Sequence, residues 1–102
     1  MGGLEAIAAA GPSRVSSGEA AKATVADAAV DVMSVPAGTQ TTHLVIHNEG
    51  GIAGFWSDDG VVWNRLPAVG IILDGIDLNG RKLQVKRVAN GSNLGGIYAS
   101  AW

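Results

Sequence analysis

"THLVIHNE", residues 42–49, is the stretch whose reading decides the fold. Side chains of an extended chain alternate between faces, so Leu44, Ile46 and Asn48 share one side, and His43, Val45 and His47 share the other. The same period of two runs through "KLQVKRV" (82–88), where Leu83 and Val85 face inward and Lys82, Gln84 and Lys86 outward. In the last run, Ile97, Ala99 and Ala101 oppose Tyr98, Ser100 and Trp102. A sheet with one wet face requires this alternation.

Working outward from residues 42–49, apolar runs and turn signals take turns. "TVADAAVDVMSV" (24–35) holds Val25, Val30, Val32 and Met33 without a clean period and is read as a strand. Pro36 and Gly38 then turn the chain, one fixing φ and the other permitting a positive value. "GIAGFW" (51–56), "VVWNRLP" (61–67), "VGIILD" (69–74) and "IDLNG" (76–80) follow. They are punctuated by Ser57-Asp58-Asp59-Gly60, Asp74-Gly75, Asn79-Gly80 and Asn90-Gly91, sequences that suit the positive φ angles of tight hairpins. Strand signals recurring at this spacing predict an all-β chain, a small antiparallel β-sandwich or barrel.

With 102 residues there is room for a single small core. Such a domain buries roughly 60–70% of the surface its unfolded chain exposes. The expected division is an extended Ala/Gly-rich N-terminal arm over 1–24 and a β-sandwich domain over 25–102. The arm has few large apolar residues and reads first as a flexible tail; the alternative is an arm that orders against a neighbouring subunit, with Leu4, Ile7 and Val15 as small anchors. Residues 4–10 and 18–23 have room for a helical turn or two, but isolated helices this short are marginal in water. The N-terminal run has no basic n-region and Glu5 interrupts it, so no signal peptide is expected. No uninterrupted apolar run is long enough for a membrane span.

A formal charge of −2 argues against a surface built to neutralise phosphates, so nucleic acid is not an expected partner. The absence of cysteine removes thiolate chemistry and disulfides. His43 and His47 would chelate together on a helix, but on a strand they stand roughly 13 Å apart and form a solvated or interfacial pair. Neither has a sequence-adjacent partner that would orient it for catalysis. The pairs Asp58/Asp59 and Asp74/Asp77 lie in turn sequences. "NGSNLGG" (90–96) lacks the Lys-Ser/Thr and the helix of a phosphate cradle and is read as a loop or bulge. No enzymatic activity, cofactor or metal is therefore expected.

Arg81, Lys82, Lys86 and Arg87 form a basic cluster, either a solvated face guarding a sheet edge or a docking patch for an acidic surface. "WSDDGVVW" (56–63) reads as a hairpin tip, because Asp bonds its own backbone nearby. It is similar to the Asp-box hairpin of sialidase-like propellers in Ser57, Asp59, Gly60 and Trp63, with one residue missing between Asp and Gly and Val62 in place of Thr. That resemblance supports a turn and no catalysis. Trp56 and Trp63 are expected in a core or subunit interface, since three Trp, one Tyr and one Phe are all the aromatic residues available. Stacking on sugars is the alternative.

Over residues 35–102 the order of features resembles a small β-sandwich module of tailed-phage virion proteins. The matching pieces are "VPAGTQTTHLVIHNEG", "FWSDDG", an apolar strand ending in "LDG", "KLQVKRVA" and the closing "IYASAW". The resemblance implies a virion structural protein, foremost a head decoration or cement protein that stabilises the head by binding across capsomers. A head–tail connector or a tail or fibre accessory is one alternative, and a carbohydrate- or receptor-binding sandwich another. It further implies the major capsid protein or other virion proteins as partners, a homo-oligomer with a trimer favoured, and assembly into virions in the host cytoplasm. Arg81, Lys82, Lys86, Arg87, Trp56, Trp63 and Trp102, with the arm residues Leu4, Ile7 and Val15, are the expected interface residues.

Overall fold

The computed structural model describes residues 16–20 and 26–102. Eight strands run β1 (Ser16–Ala20), β2 (Val30–Ser34), β3 (His43–Asn48), β4 (Gly54–Ser57), β5 (Asn64–Leu66), β6 (Gly70–Asp74), β7 (Lys82–Arg87) and β8 (Ile97–Ala101). They form two four-stranded sheets, ordered β1-β8-β3-β6 and β2-β7-β4-β5, in which every pairing is antiparallel. The chain is a β-sandwich, which decides between the two all-β architectures.

The alternation is as the sequence predicts on three strands. Leu44, Ile46 and Asn48 of β3, Leu83 and Val85 of β7, and Ile97, Ala99 and Ala101 of β8 are all buried. With Trp56, Leu66, Val32 and Met33 the apolar members of this set make one core, closed at the corners by Val35, Leu78 and Leu94. Full burial of an aliphatic side chain contributes about 1.5–3 kcal/mol. The blurred period of β2 has a physical cause: its register against β7 slips between Asp31 and Met33. The slip turns consecutive residues Val32 and Met33 both inward.

The turns differ from expectation. Among the described strands only β4 and β5 are joined as a hairpin; all other consecutive strands lie in opposite sheets. Asp74-Gly75 and Asn79-Gly80 sit in the β6–β7 crossing and Asn90-Gly91 in the β7–β8 crossing. Gly75, Gly80 and Asn90 do take positive φ. The dipeptides bend the chain locally, but burial of the next strand's apolar face decides where that strand pairs. "IDLNG" forms no strand and instead buries Leu78 in a corner.

Residues 18–20 lie in β1 and not in a helical turn, with Gly18 opposite Ala99 and Ala20 opposite Ile97. Ser16–Ala20 of the expected arm thus runs along the sandwich. Leu4, Ile7 and Val15 lie outside the described residues.

Polar side chains tie the crossings together. Buried Thr41 donates through Oγ1 to the Ile76 carbonyl at 2.9 Å and accepts from the Leu78 N–H at 2.8 Å. Asp77 Oδ1 accepts from the N–H groups of Thr41 and Asn79, and Asn79 Oδ1 accepts from the Gly38 N–H. At the opposite end Asn48 Nδ2 donates to the carbonyls of Ile52 and Pro67 at 2.8 and 3.2 Å. Both interactions join one sheet crossing to another. Gly70 opens β6 at φ +103, where a Cβ would lie 2.1 Å from the Ile46 carbonyl oxygen, so only glycine fits.

Candidate functional site

The octet 56–63 is built around one hydroxyl. Ser57, fully buried, accepts through Oγ from the N–H groups of Asp59 and Gly60 at 3.2 and 2.9 Å and donates to Asp59 Oδ1 at 2.9 Å. The same Oδ1 accepts from the N–H groups of Val61 and Val62 at 2.8 and 2.9 Å. These backbone bonds, followed by the bond from Ser57, hold the Asp59 carboxyl below its ordinary range. Three bonds from within the turn converge on Oδ1, so this carboxylate oxygen serves as a scaffold element.

The tryptophans separate. Trp56 is buried in the core at 7% exposure. Trp63 is half-buried beneath the Lys86 ammonium, 4.2 Å from the ring centroid. Beside them Arg65 stands 5.9 Å over Phe55, on a register row shared with Lys86. Trp102 lies on the other sheet, stacked on His43 with centroids 5.3 Å apart and planes within 6°. No two tryptophans share an aromatic platform.

The basic cluster is paired internally. Arg81 reaches Asp58 at 3.4 Å, Lys82 reaches Asp31 at 3.4 Å, and Arg87 Nε donates to Asp27 at 2.8 Å, with Asn93 as a further partner. Bonds from Arg87 and then from the Asn90 N–H lower the Asp27 pKa; the Gln84 amide and Lys82 lower that of Asp31. The edge-guarding reading is corrected, because β7 lies between β2 and β4 in the middle of its sheet. Arg81 and Lys82 do line a shallow hollow, together with Asp58, Asp59 and Gln84, where acids and bases offset one another.

His43 has an oriented environment, and the expectation that no sequence-adjacent residue orients it is corrected by Thr42. Its Nδ1 is 2.7 Å from Thr42 Oγ1 and its Nε2 is 3.4 Å from Asp74. A hydroxyl, an imidazole and a carboxylate in line invite comparison with an acyl-transfer triad. The adjacent N–H groups of Thr42 and His43 both donate to the Trp102 carbonyl, at 2.8 and 3.0 Å, so neither is available to an oxyanion. None of the described hollows reaches Thr42 or His43. The arrangement fastens the C-terminal residue to β3. His47 pairs separately with Glu49 at 3.6 Å.

The glycine-rich loop lies against an acid. Gly95 and Gly96 line a hollow with Gly50 and the acid Glu49. A Cβ on Gly50 would meet the Gly95 carbonyl oxygen at 2.6 Å, so glycine there allows two corners to touch. Among the described residues no cluster of His, Asp and Glu could hold a metal, and no helix is long and apolar enough to cross a membrane.

What the described surface does offer is exposed apolar side chains. Val69 and Ile72 on β6 and its approach are 79% and 76% exposed, and Val61 and Val62 crown the β4–β5 hairpin. Sequence reading placed β6 among the strands without marking it as an edge, since edge position depends on which strands pair. No protein-family model, curated protein or solved structure matches the chain.

Proposed function

We propose that this chain is a structural protein of a tailed-phage virion, a decoration or cement protein that binds across capsomers and stabilises the head. The observation that carries the reading is the exposed apolar set at one sheet edge and one hairpin tip of a compact sandwich. Such surface suits contact with other protein chains. The order of sequence features over residues 35–102 supplies the virion context. In this role the protein acts by mass action: binding the assembled shell and not its separate subunits favours the shell. On this reading Leu4, Ile7 and Val15, which lie outside the described residues, are the anchors offered to neighbouring subunits.

The partners on this reading are the major capsid protein and further copies of this chain, with a trimer favoured by the resemblance. Assembly takes place in the host cytoplasm and the finished location is the virion. A glycan-binding module would call for tryptophans on a common exposed face, and here Trp56, Trp63 and Trp102 stand apart.

Co-sedimentation with undecorated phage shells tests the proposal, comparing the full chain with one lacking residues 1–15, which keeps β1. Saturable binding weakened by the truncation is expected. No binding by either form overturns the head assignment and directs attention to the tail.

A further inference from the structure

Among the described residues no strand pairs with the outer edge of β6, and that edge has a geometry that selects its own partner. β3 lies between β8 and β6, and its backbone groups alternate between them. His43 and Trp102 exchange N–H···O bonds in both directions, and the Glu49 N–H donates to the Gly96 carbonyl, so odd-numbered residues here face β8. The Gly75 N–H donates to the Thr42 carbonyl, so even-numbered residues face β6. Leu44 and Ile46 therefore bond to Leu73 and Ile71, their register partners. It follows that Ile72 and Asp74 turn their N–H and C=O groups away from β3, towards the open edge, and so does the Gly70 carbonyl. The Gly70 N–H is already donated to the Pro67 carbonyl.

The edges of the second sheet are blunted. β5 has three residues with exposed Arg65 at its centre, and β2 is interrupted by its register slip. β6 has five residues and presents Ile72 at its centre, on the outer face beside half-buried Val45.

We infer that β6 is a self-association edge, pairing antiparallel with β6 of a second copy about a two-fold axis at Ile72. The contact draws on the same exposed β6 edge as the virion reading, gives that edge a second copy of this chain as its partner, and predicts a dimer in place of the trimer the resemblance favours; its test reads self-association and needs no phage shell. Ile72 then exchanges two N–H···O bonds with its mate, and each Asp74 N–H reaches the Gly70 carbonyl of the other copy. On the outer face the central row reads Val45, Ile72, Ile72, Val45, a continuous apolar strip across the axis. In the flanking rows Asp74 comes opposite Gly70, the residue with no side chain to obstruct it. Its carboxylate lies between His43 of its own copy and His47 of the other. No like charges oppose one another, and an isologous contact of this kind closes as a dimer.

Sedimentation equilibrium of the full chain over a concentration series tests the inference. The mass is expected to rise from one chain to two. Ile72→Lys acts on both sides of the axis and is expected to raise the dissociation constant by roughly a hundredfold or more, with the melting midpoint little changed. Ile72→Pro removes only an outward N–H and is expected to give a folded monomer, whereas Leu73→Pro breaks the β3 ladder and lowers the melting midpoint. The chain has no cysteine, so Ile72→Cys is expected to form a symmetric disulfide across the axis, where paired Cα atoms stand about 5.5 Å apart. A wild-type chain monomeric at every concentration overturns the inference. So does a trimer that both Ile72 variants leave intact, or a proline at 72 as damaging to the fold as one at 73.

Discussion

Thr41 shows what a single hydroxyl does inside this sandwich. It satisfies the carbonyl of Ile76 and the N–H of Leu78 at a corner where neither group belongs to a strand ladder. Thr41→Val keeps the shape and leaves both backbone groups without that partner, a loss expected to cost about 1–3 kcal/mol in denaturant unfolding. Asp59 illustrates a charged version of the same device. Its carboxyl, with those of Asp27 and Asp31, has a folded pKa below the ordinary value, so the stability it contributes is present above about pH 4, the unfolded value, and lost as pH falls through the lower folded one. Melting midpoints are expected to be level near neutrality and to fall in acid, with a shallower acid loss in Asp59→Asn. The turn chemistry of Ser57, Asp59 and Gly60 was legible in the sequence because such bonds reach only two or three residues. Thr41 was not, because its partners lie 35 and 37 residues away.

Among the elements, β6 joins the tightest backbone approach to the most open side. Gly70→Ala would drive a Cβ against the Ile46 carbonyl at a φ that disfavours any side chain. A loss of about 1–3 kcal/mol from the backbone strain alone is expected, read as a lower denaturant midpoint. β3, β7 and β8 were readable as strands and as faces, since alternation is local and each buries one side. β2 was readable as a strand but not as a bulged one, because the slip belongs to its pairing with β7. The basic residues of β7 show the same division. The outward direction of Lys82 and Lys86 followed from the alternation, while the acids that pair with Arg81, Lys82 and Arg87 come from separate segments at Asp58, Asp31 and Asp27.

Across the whole molecule, most consecutive strands lie in opposite sheets, so nearly every sheet contact joins residues distant in sequence. Folding is therefore expected on a scale of roughly milliseconds to seconds, which stopped-flow tryptophan fluorescence would follow through Trp56. Ile46→Ala, at the centre of β3 and the core, is expected to cost about 2–5 kcal/mol in equilibrium unfolding. The sequence by itself determined that the chain is all-β, which residues of β3, β7 and β8 face inward, and where the chain bends. These follow from the two-residue period and from backbone preferences that act over a few residues. Tertiary structure alone decided that the bends are sheet crossings, that β7 is central and β6 an edge, and that the tryptophans part company. Strand partners are chosen by burying apolar faces against each other across the sandwich, an interaction with no local trace in the chain.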